Sequence, residues 1–280
     1  MFHEKIHLNQ HFNTLENDPI LTSYCADTYV EYCIDKKREC VLVLPGGAYA
    51  FVSEREKEPV ALRLLGYDIS VFTLEYTIAP KLKYPNPFVE VYAALAYIRR
   101  NADLYHVDPN RISVMGFSAG GHLAATVSAY HESEEFANYL GIKLAEMRIN
   151  GCILSYPVIT LDPNVAHLDS AKNITQGRND LMQKLSIENH ITPNFPKTFI
   201  WHTTFDNVVP LKNTLLLADE LAKNKVFFEM HIYPMHDHGQ SLADSSVYTD
   251  KMIDQKTLNE MRYNSQWINQ AINFIKNYVK

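Results

Sequence analysis

Arg111-Ile112-Ser113-Val114-Met115-Gly116-Phe117-Ser118-Ala119-Gly120-Gly121-His122-Leu123-Ala124-Ala125 is the stretch from which the rest of the chain can be read. Ile112 to Met115 is a short apolar run of the kind that forms a buried strand. Gly121 to Ala129 is rich in small residues and reads as a helix. Between them stands G-x-S-x-G, at Gly116 to Gly120. Strand, tight turn and helix in that order hold a serine on a sharp, strained bend. The bend lifts the hydroxyl clear of the sheet and aims the first helical N–H groups at any negative charge that develops beside it. Five residues alone leave a second reading open, an ordinary glycine-rich turn before a helix. The choice depends on whether the chain also supplies a base, an acid and further N–H donors.

Upstream, Lys37-Arg38-Glu39-Cys40 leads into the buried strand Val41-Leu42-Val43-Leu44, which ends at Pro45-Gly46-Gly47-Ala48-Tyr49. A glycine pair just past a central strand lets backbone N–H groups turn outward. Gly47 and Ala48 are therefore expected to form one half of an oxyanion hole, with the amide of Ala119 as the other. Ser53 to Leu65 reads as a helix closed by Gly66, with Ser53 as its N-cap and Glu56 completing a capping box. Its charged string, Glu54 to Glu58, reads as a solvated face. Ile69 to Leu74 is the next strand, followed by Glu75-Tyr76, a proline-bearing loop from Ala79 to Pro87, and a helix from Phe88 to Ala102. Asp108-Pro109 turns the chain into the serine strand. The first 37 residues should supply one or two edge strands, from Lys5 to Leu8 and from Ala26 to Ile34. His3, His7 and His11 would share one face of a helix, a spacing compatible with metal ligands. The alternating pattern favours a strand, which scatters them, so no metal is expected.

Downstream, Gly151 to Tyr156 is a buried strand stopped by Pro157. From Val158 to Pro196 the periodicity dissolves, apart from a short helical piece near Asp180 to Leu185. An excursion of that length reads as a small lid-like insertion in which substrate choice would reside. Lys197 to His202 returns to the sheet and places Asp206 at the carboxyl end of a strand, where open α/β sheets carry their chemistry. His202, inside that strand, reads as a packed core histidine. An amphipathic helix from Leu211 to Asn224 and a last strand from Val226 to Tyr233 follow, giving way to Pro234-Met235-His236-Asp237-His238-Gly239. Ser241 to Glu260 is polar loop or frayed helix, and Ser265 to Val279 is a closing amphipathic helix. Strands alternating with helices over the whole length imply an α/β architecture. Its mostly parallel sheet would carry helices on both faces, in a single domain over residues 1–280.

On such a sheet Ser118, Asp206 and His238 each fall just past a strand. Nucleophile, acid, histidine is the order expected of the α/β-hydrolase fold. A serine hydroxyl becomes a useful nucleophile only when an imidazole takes its proton. The imidazole in turn needs a carboxylate to fix its tautomer. Asp162, after the preceding strand, competes for the acid, but Asp206 follows the strand before the last. His236 competes for the base, since an extended H-x-H places both rings on one side. Gly239 gives His238 the freedom to fold back toward the serine. The H-x-H spacing alone is not a metal site, because no further ligand cluster supports it.

Composition sets the outer bounds. The 280 residues are 46% hydrophobic and 21% charged, with a formal net charge of −6. That balance fits a globular protein with a sizeable core and offers no attraction to nucleic acid or anionic membrane. The apolar runs are of strand length, too short to span a bilayer. The first ten residues lack the basic start and apolar core of a secretory signal. Cys25, Cys33, Cys40 and Cys152 show no C-x-x-C spacing and read as free thiols of a reducing cytoplasm.

Taken together, these motifs resemble the acetyl esterases of the α/β-hydrolase superfamily, the acetyl xylan esterase-like group close to the hormone-sensitive-lipase-like carboxylesterases. P-G-G-A-Y at Pro45 to Tyr49 resembles the family's oxyanion loop, with proline where the lipase branch carries histidine. S-E-R-E-K-E-P-V-A at Ser53 to Ala61 resembles its following helix. G-F-S-A-G-G-H-L at Gly116 to Leu123 is similar to its elbow, D-N-V-V-P at Asp206 to Pro210 to its acid loop, and H-G at His238-Gly239 to its histidine. M-H-D-H-G departs from the glycine-rich run usual before that histidine. The resemblance implies a serine esterase acting on small acyl esters such as acetylated sugars, without a cofactor. Tyr49, Arg55, Tyr76 and His236 are expected to line its pocket. The partners expected are a small-molecule ester and a second copy of the chain, with no nucleic acid and no membrane. Three readings compete. A prolyl peptidase would bring a large extra domain, a glycosidase needs two opposed carboxylates that nothing here singles out, and a non-catalytic binder would usually show a broken triad.

Overall fold

Valine- and isoleucine-rich runs without polar alternation are satisfied only in a sheet covered on both faces, and the chain places them there. The computed structural model describes all residues except Tyr32, Met235 and Asp250. Its strands are β1 (Lys5–His7), β2 (Ile20–Tyr24), β3 (Arg38–Leu44), β4 (Ser70–Glu75), β5 (Val107–Phe117), β6 (Gly151–Ser155), β7 (Lys197–Thr203) and β8 (Phe228–Tyr233). They form one eight-stranded sheet in the order β1-β2-β4-β3-β5-β6-β7-β8. From β4 to β8 every pairing is parallel. β1 and β2 close the other side in antiparallel register.

Side chains alternate between the two faces, as strand geometry requires. Leu42, Leu44, Val114, Leu154 and Ile200 pack into one core with the helices Asn86–Arg100 and Ala119–Ala129. Val41, Val43, Met115, Phe117, Ile153 and Trp201 pack into the other with the helices Glu58–Leu65 and Trp267–Tyr278. There Trp201 stacks on Trp267 at 5.1 Å between ring centroids. The edge strand β8 is protected by polarity, with His231 bonded to Glu229 at 2.7 Å. Among the described residues no helix is long and apolar enough to cross a membrane.

Three expectations change. Ala26 to Ile34 does not form a strand in its described residues; the edge is β1, within the expected Lys5 to Leu8, and the strand beside it is β2. The carbonyls of Ala26 and Asp27 are taken by the Arg38 guanidinium rather than by a ladder. Asp108-Pro109 does not separate helix from strand but sits inside β5 as a bulge, where the register with β3 shifts between Arg38 and Cys40. The helix expected from Ser53 to Leu65 breaks in two: a 3-10 turn at Glu54–Glu56, then the α-helix from Glu58. Ser53 makes no side-chain cap there. His3, His7 and His11 part company: His3 bonds to the Ser23 carbonyl, His7 to Asp18, and His11 packs on Tyr97. Residues 158–196 hold two α-helices, Leu168–Thr175 and Asn179–Lys184, and a 3-10 turn at Ile187–Asn189. The first was unforeseen because its N-cap is His167, not one of the usual capping residues.

Parallel strands point their carboxyl ends the same way. The residues that follow β3, β5, β6, β7 and β8, including Pro45, Ser118, Tyr156, Asp206 and His238, therefore gather at one rim of the sheet.

Candidate active site

Ser118 follows β5 directly and adopts φ 52°, ψ −116°, a conformation that costs a non-glycine residue about 1–3 kcal/mol. The turn is this tight because its flanks have no side chains. A Cβ on Gly116 would lie 2.1 Å from the Gly120 carbonyl oxygen, and one on Gly120 would lie 2.1 Å from that of Leu44. The strained backbone is held by its neighbours: the Ser118 N–H donates to the Ser155 carbonyl, and its own carbonyl accepts from His122 and Val158.

Ser118 Oγ is 2.7 Å from His238 Nε2. His238 Nδ1 is 2.6 Å from Asp206 Oδ2. A carboxylate beside Nδ1 requires the proton there, which leaves Nε2 bare to accept from the serine hydroxyl. Asp206 Oδ1 accepts from the N–H groups of Val208 and Val209 at 3.0 and 2.8 Å. Burial alone would raise the Asp206 pKa. The hydrogen bonds from His202 and His238, and the charge of His238, outweigh it and hold the carboxyl well below the usual range. Asp237 then clasps the two loops together, its Oδ1 accepting from the N–H of Asn207 and of His238. The His238 ring packs against Tyr156, 4.9 Å between centroids.

The loop after β3 carries the opposite polarity. Gly47, Ala48 and Tyr49 all have positive φ, at 127°, 53° and 59°. Every carbonyl from Pro45 to Ala48 is occupied. Pro45 accepts from the Tyr76 hydroxyl at 2.6 Å, Gly46 from the Ser53 N–H, Gly47 from Ala50 and Phe51, and Ala48 from Asn173 Nδ2 at 2.8 Å. The N–H of Gly46 goes to Glu56 Oε2 at 2.8 Å. The N–H groups of Gly47 and Ala48, and that of Ala119 across the gap, have no partner among the described residues. Unused donors beside a serine hydroxyl are what an anionic intermediate requires.

A cleft of about 570 Å³ opens over Ser118 and His238, walled by Gly47, Ala48, Phe51, Arg55, His167 and Val208. Of the four residues expected to line it, Arg55 does, with its guanidinium 4.9 Å from the Tyr248 ring. Tyr49 and Tyr76 do not. Both are buried behind the cleft-facing side of the loop after β3, Tyr49 bonded to His122 Nδ1 at 2.7 Å and Tyr76 to Pro45. His236 lies off the cleft, and its Nε2 has no partner among the described residues. Asp162 closes its own turn by accepting from Asn164. Burial pushes the His122 pKa down to about 4.

Three residues have partners or positions that the sequence pattern does not show. His202 is core, as expected, but its Nε2 also lies 3.1 Å from Asp206 Oδ2, and its Nδ1 bonds to Thr214. The i, i+4 spacing His202–Asp206 was a signal that could have linked them. Glu56 is buried and turned inward, not solvated. His167, on the cleft wall, had no local signal at all.

A family model described as BD-FAE matches residues 26–221. The endo-1,4-beta-xylanase B of Butyrivibrio fibrisolvens is 33% identical over 226 residues, which cover 77% of this chain and 34% of that protein. The acetylxylan esterase of Xylanibacter ruminicola is 27% identical over 220 residues, 76% of this chain and 43% of that one. The chain thus spans less than half the length of these two curated relatives. The crystal structure of an acetyl ester-xyloside bifunctional hydrolase from Caldicellulosiruptor lactoaceticus superposes with a TM-score of 0.80 at 31% identity. The match covers 98% of this chain and 95% of that one.

Proposed function

The chain belongs to the BD-FAE family, an esterase family of the α/β-hydrolase superfamily, and from that premise we propose that it is a serine carboxylesterase for small acyl esters, acetylated sugars among them. The observation that carries this reading is the unbroken line of hydrogen bonds from Ser118 Oγ through His238 to Asp206. In the first half-reaction Ser118 Oγ attacks the acyl carbon while His238 Nε2 takes the hydroxyl proton. The negative charge moves to the former carbonyl oxygen, where the N–H groups of Gly47, Ala48 and Ala119 receive it. As the C–O bond to the alcohol breaks, His238 returns the proton to the leaving oxygen. A water molecule then repeats the attack on the acyl-serine, releasing the acid and restoring Ser118. Asp206, ionised throughout, stabilises the imidazolium formed at each step.

The acetyl-sugar assignment is supported by the names of two relatives, an acetylxylan esterase and an acetyl ester-xyloside hydrolase. It also accords with the polar groups Arg55 and His167 on the cleft wall, which suit an alcohol rich in hydroxyls. Segment 158–196, which contributes His167, is the part that would act as a partial lid. The free thiols of Cys25, Cys33, Cys40 and Cys152 accord with a reducing compartment.

The test is hydrolysis of p-nitrophenyl acetate, butyrate and octanoate by wild type and Ser118→Ala side by side. The expected result is a preference for acetate and a loss of about 10⁴-fold or more in the variant. Activity that survives in Ser118→Ala would remove the serine from the mechanism.

A further inference from the structure

Glu56 was read from the sequence as part of a solvated charged face, yet it is 4% exposed and both carboxylate oxygens point inward. Its Oε2 accepts from the Gly46 N–H at 2.8 Å, and its Oε1 from the Tyr156 hydroxyl at 2.6 Å. A Cβ on Gly46 would lie 2.8 Å from Oε2, so the approach depends on that glycine. Tyr156 in turn accepts from the Ser241 N–H at 2.9 Å, and its ring packs on His238. Ser241 donates through Oγ to the Arg55 carbonyl, and its own carbonyl accepts from the Trp267 indole. One carboxylate thus ties together the loop after β3, the residue after β6 and the loop that follows His238. Its partner Tyr156 packs on His238, and Glu56 itself lies on the wall of the cleft.

The consequence lies one peptide further on. The Pro45–Gly46 peptide is pinned at both ends, its oxygen by Tyr76 and its N–H by Glu56. With that plane fixed, and the Gly46 carbonyl taken by Ser53, the Gly47 N–H has one direction left. Hydrogen bonds to a carboxylate are stronger than those to a neutral acceptor, and a donor misaimed by a fraction of an ångström loses much of its effect on a developing oxyanion. The negative charge of Glu56 works against that same oxyanion, so its place beside the loop is explained by geometry, not by field.

We propose that Glu56 is the positioning residue of the oxyanion loop, aiming the Gly47 and Ala48 N–H groups through Gly46 and coupling that loop to the His238 loop through Tyr156. This rests on the esterase reading above. Steady-state kinetics on p-nitrophenyl acetate and the rate of Ser118 labelling by a fluorophosphonate would be measured for wild type, Glu56→Ala, Glu56→Gln and Tyr156→Phe, with melting curves for each. Removing Glu56 should lower kcat about 100-fold, the scale of one lost oxyanion donor, with KM within about twofold. Glutamine keeps one acceptor for Gly46 and should restore roughly tenfold of that loss. Tyr156→Phe should fall between glutamine and wild type. Should Glu56→Ala fail to fold, Glu56→Gln decides: kcat at least about fivefold down with an unchanged KM and melting curve upholds the assignment. A kcat within about twofold of wild type in folded Glu56→Ala or Glu56→Gln, or a loss that falls on KM, overturns it while leaving the esterase reading intact. A folded wild type that neither hydrolyses the ester nor takes the label sinks both.

Discussion

The elbow around Ser118 and the loop from Pro45 to Glu56 face each other across the same cleft and are built by opposite means. The elbow is closed by backbone against backbone: two glycines that let Gly116 approach Gly120 and Gly120 approach Leu44, and a helix that starts at once. The loop after β3 has three consecutive residues at positive φ, only one of them glycine, and holds that shape through side chains that come from elsewhere. Tyr76, Glu56 and Asn173 each hold one of its peptide groups. A turn closed by backbone contacts tolerates no change within it. A tethered loop tolerates change within it better than change among its tethers.

That contrast can be broken most forcefully at Gly120. Valine there would place its Cβ 2.1 Å from the Leu44 carbonyl oxygen and 2.4 Å from that of Pro45. Both are backbone atoms with nowhere to move. A loss of about 4 kcal/mol or more is expected, seen as insoluble protein or a melting temperature lower by about 8 °C or more. A variant melting within about 2 °C of wild type would show that the elbow is less rigid than its geometry says.

An intermediate effect is expected at the joint between the two regions. His122 sits in the elbow helix, accepts from the Tyr49 hydroxyl at Nδ1 and donates from Nε2 to the Leu185 carbonyl. Its folded-state pKa, about 4, lies below the ordinary histidine value of about 6.5 in an unfolded chain. Between those values the unfolded chain binds a proton that the folded one refuses. The stabilisation is therefore full above about pH 6.5 and is lost as pH falls toward 4. Melting curves of wild type should drop more steeply over that window than those of His122→Gln. Parallel curves would mean that the ring protonates without leaving its partners.

The smallest effect should come from Asn173→Ala, which removes one tether from the Ala48 carbonyl. A single half-buried amide bond is worth about 1 kcal/mol. We expect kcat on p-nitrophenyl acetate to fall about threefold to fivefold with the melting temperature nearly unchanged. A loss as large as that of Glu56→Ala would place the weight of the loop on the 158–196 segment instead.

The same division explains what could be read in advance. That Ser118, Asp206 and His238 would meet was legible because each residue follows a strand whose run of branched apolar residues announces itself, and parallel strands bring their ends to one rim. The sheet's parallel body was legible for the same reason, and so was the edge strand within Lys5 to Leu8, but β2 between them was not. Ala26 to Ile34 has strand-like composition, but the Arg38 guanidinium claims its carbonyls. Glu56 was misread because its spacing from Ser53 imitates a capping box, while its real partner Tyr156 lies 100 residues away. Tyr49 and Tyr76, expected in the pocket with the family resemblance, turn away from it. Their hydroxyls found partners behind it, as buried tyrosines generally must. Periodicity reports which face is buried, and it carries no information on which long-range hydrogen bond a buried polar atom makes.

Ser118 itself carries one more implication, visible in its φ of 52°. Glycine would adopt that backbone without penalty, so the mutation that abolishes the hydroxyl could also relax the fold. On the esterase reading proposed above, the residue is kept for its hydroxyl against the interest of stability. A lineage with no further use for that hydroxyl would gain by discarding it, and Ser118 should then be among the first positions to drift, while Gly116 and Gly120, on which the sheet and the helix both depend, stay as they are.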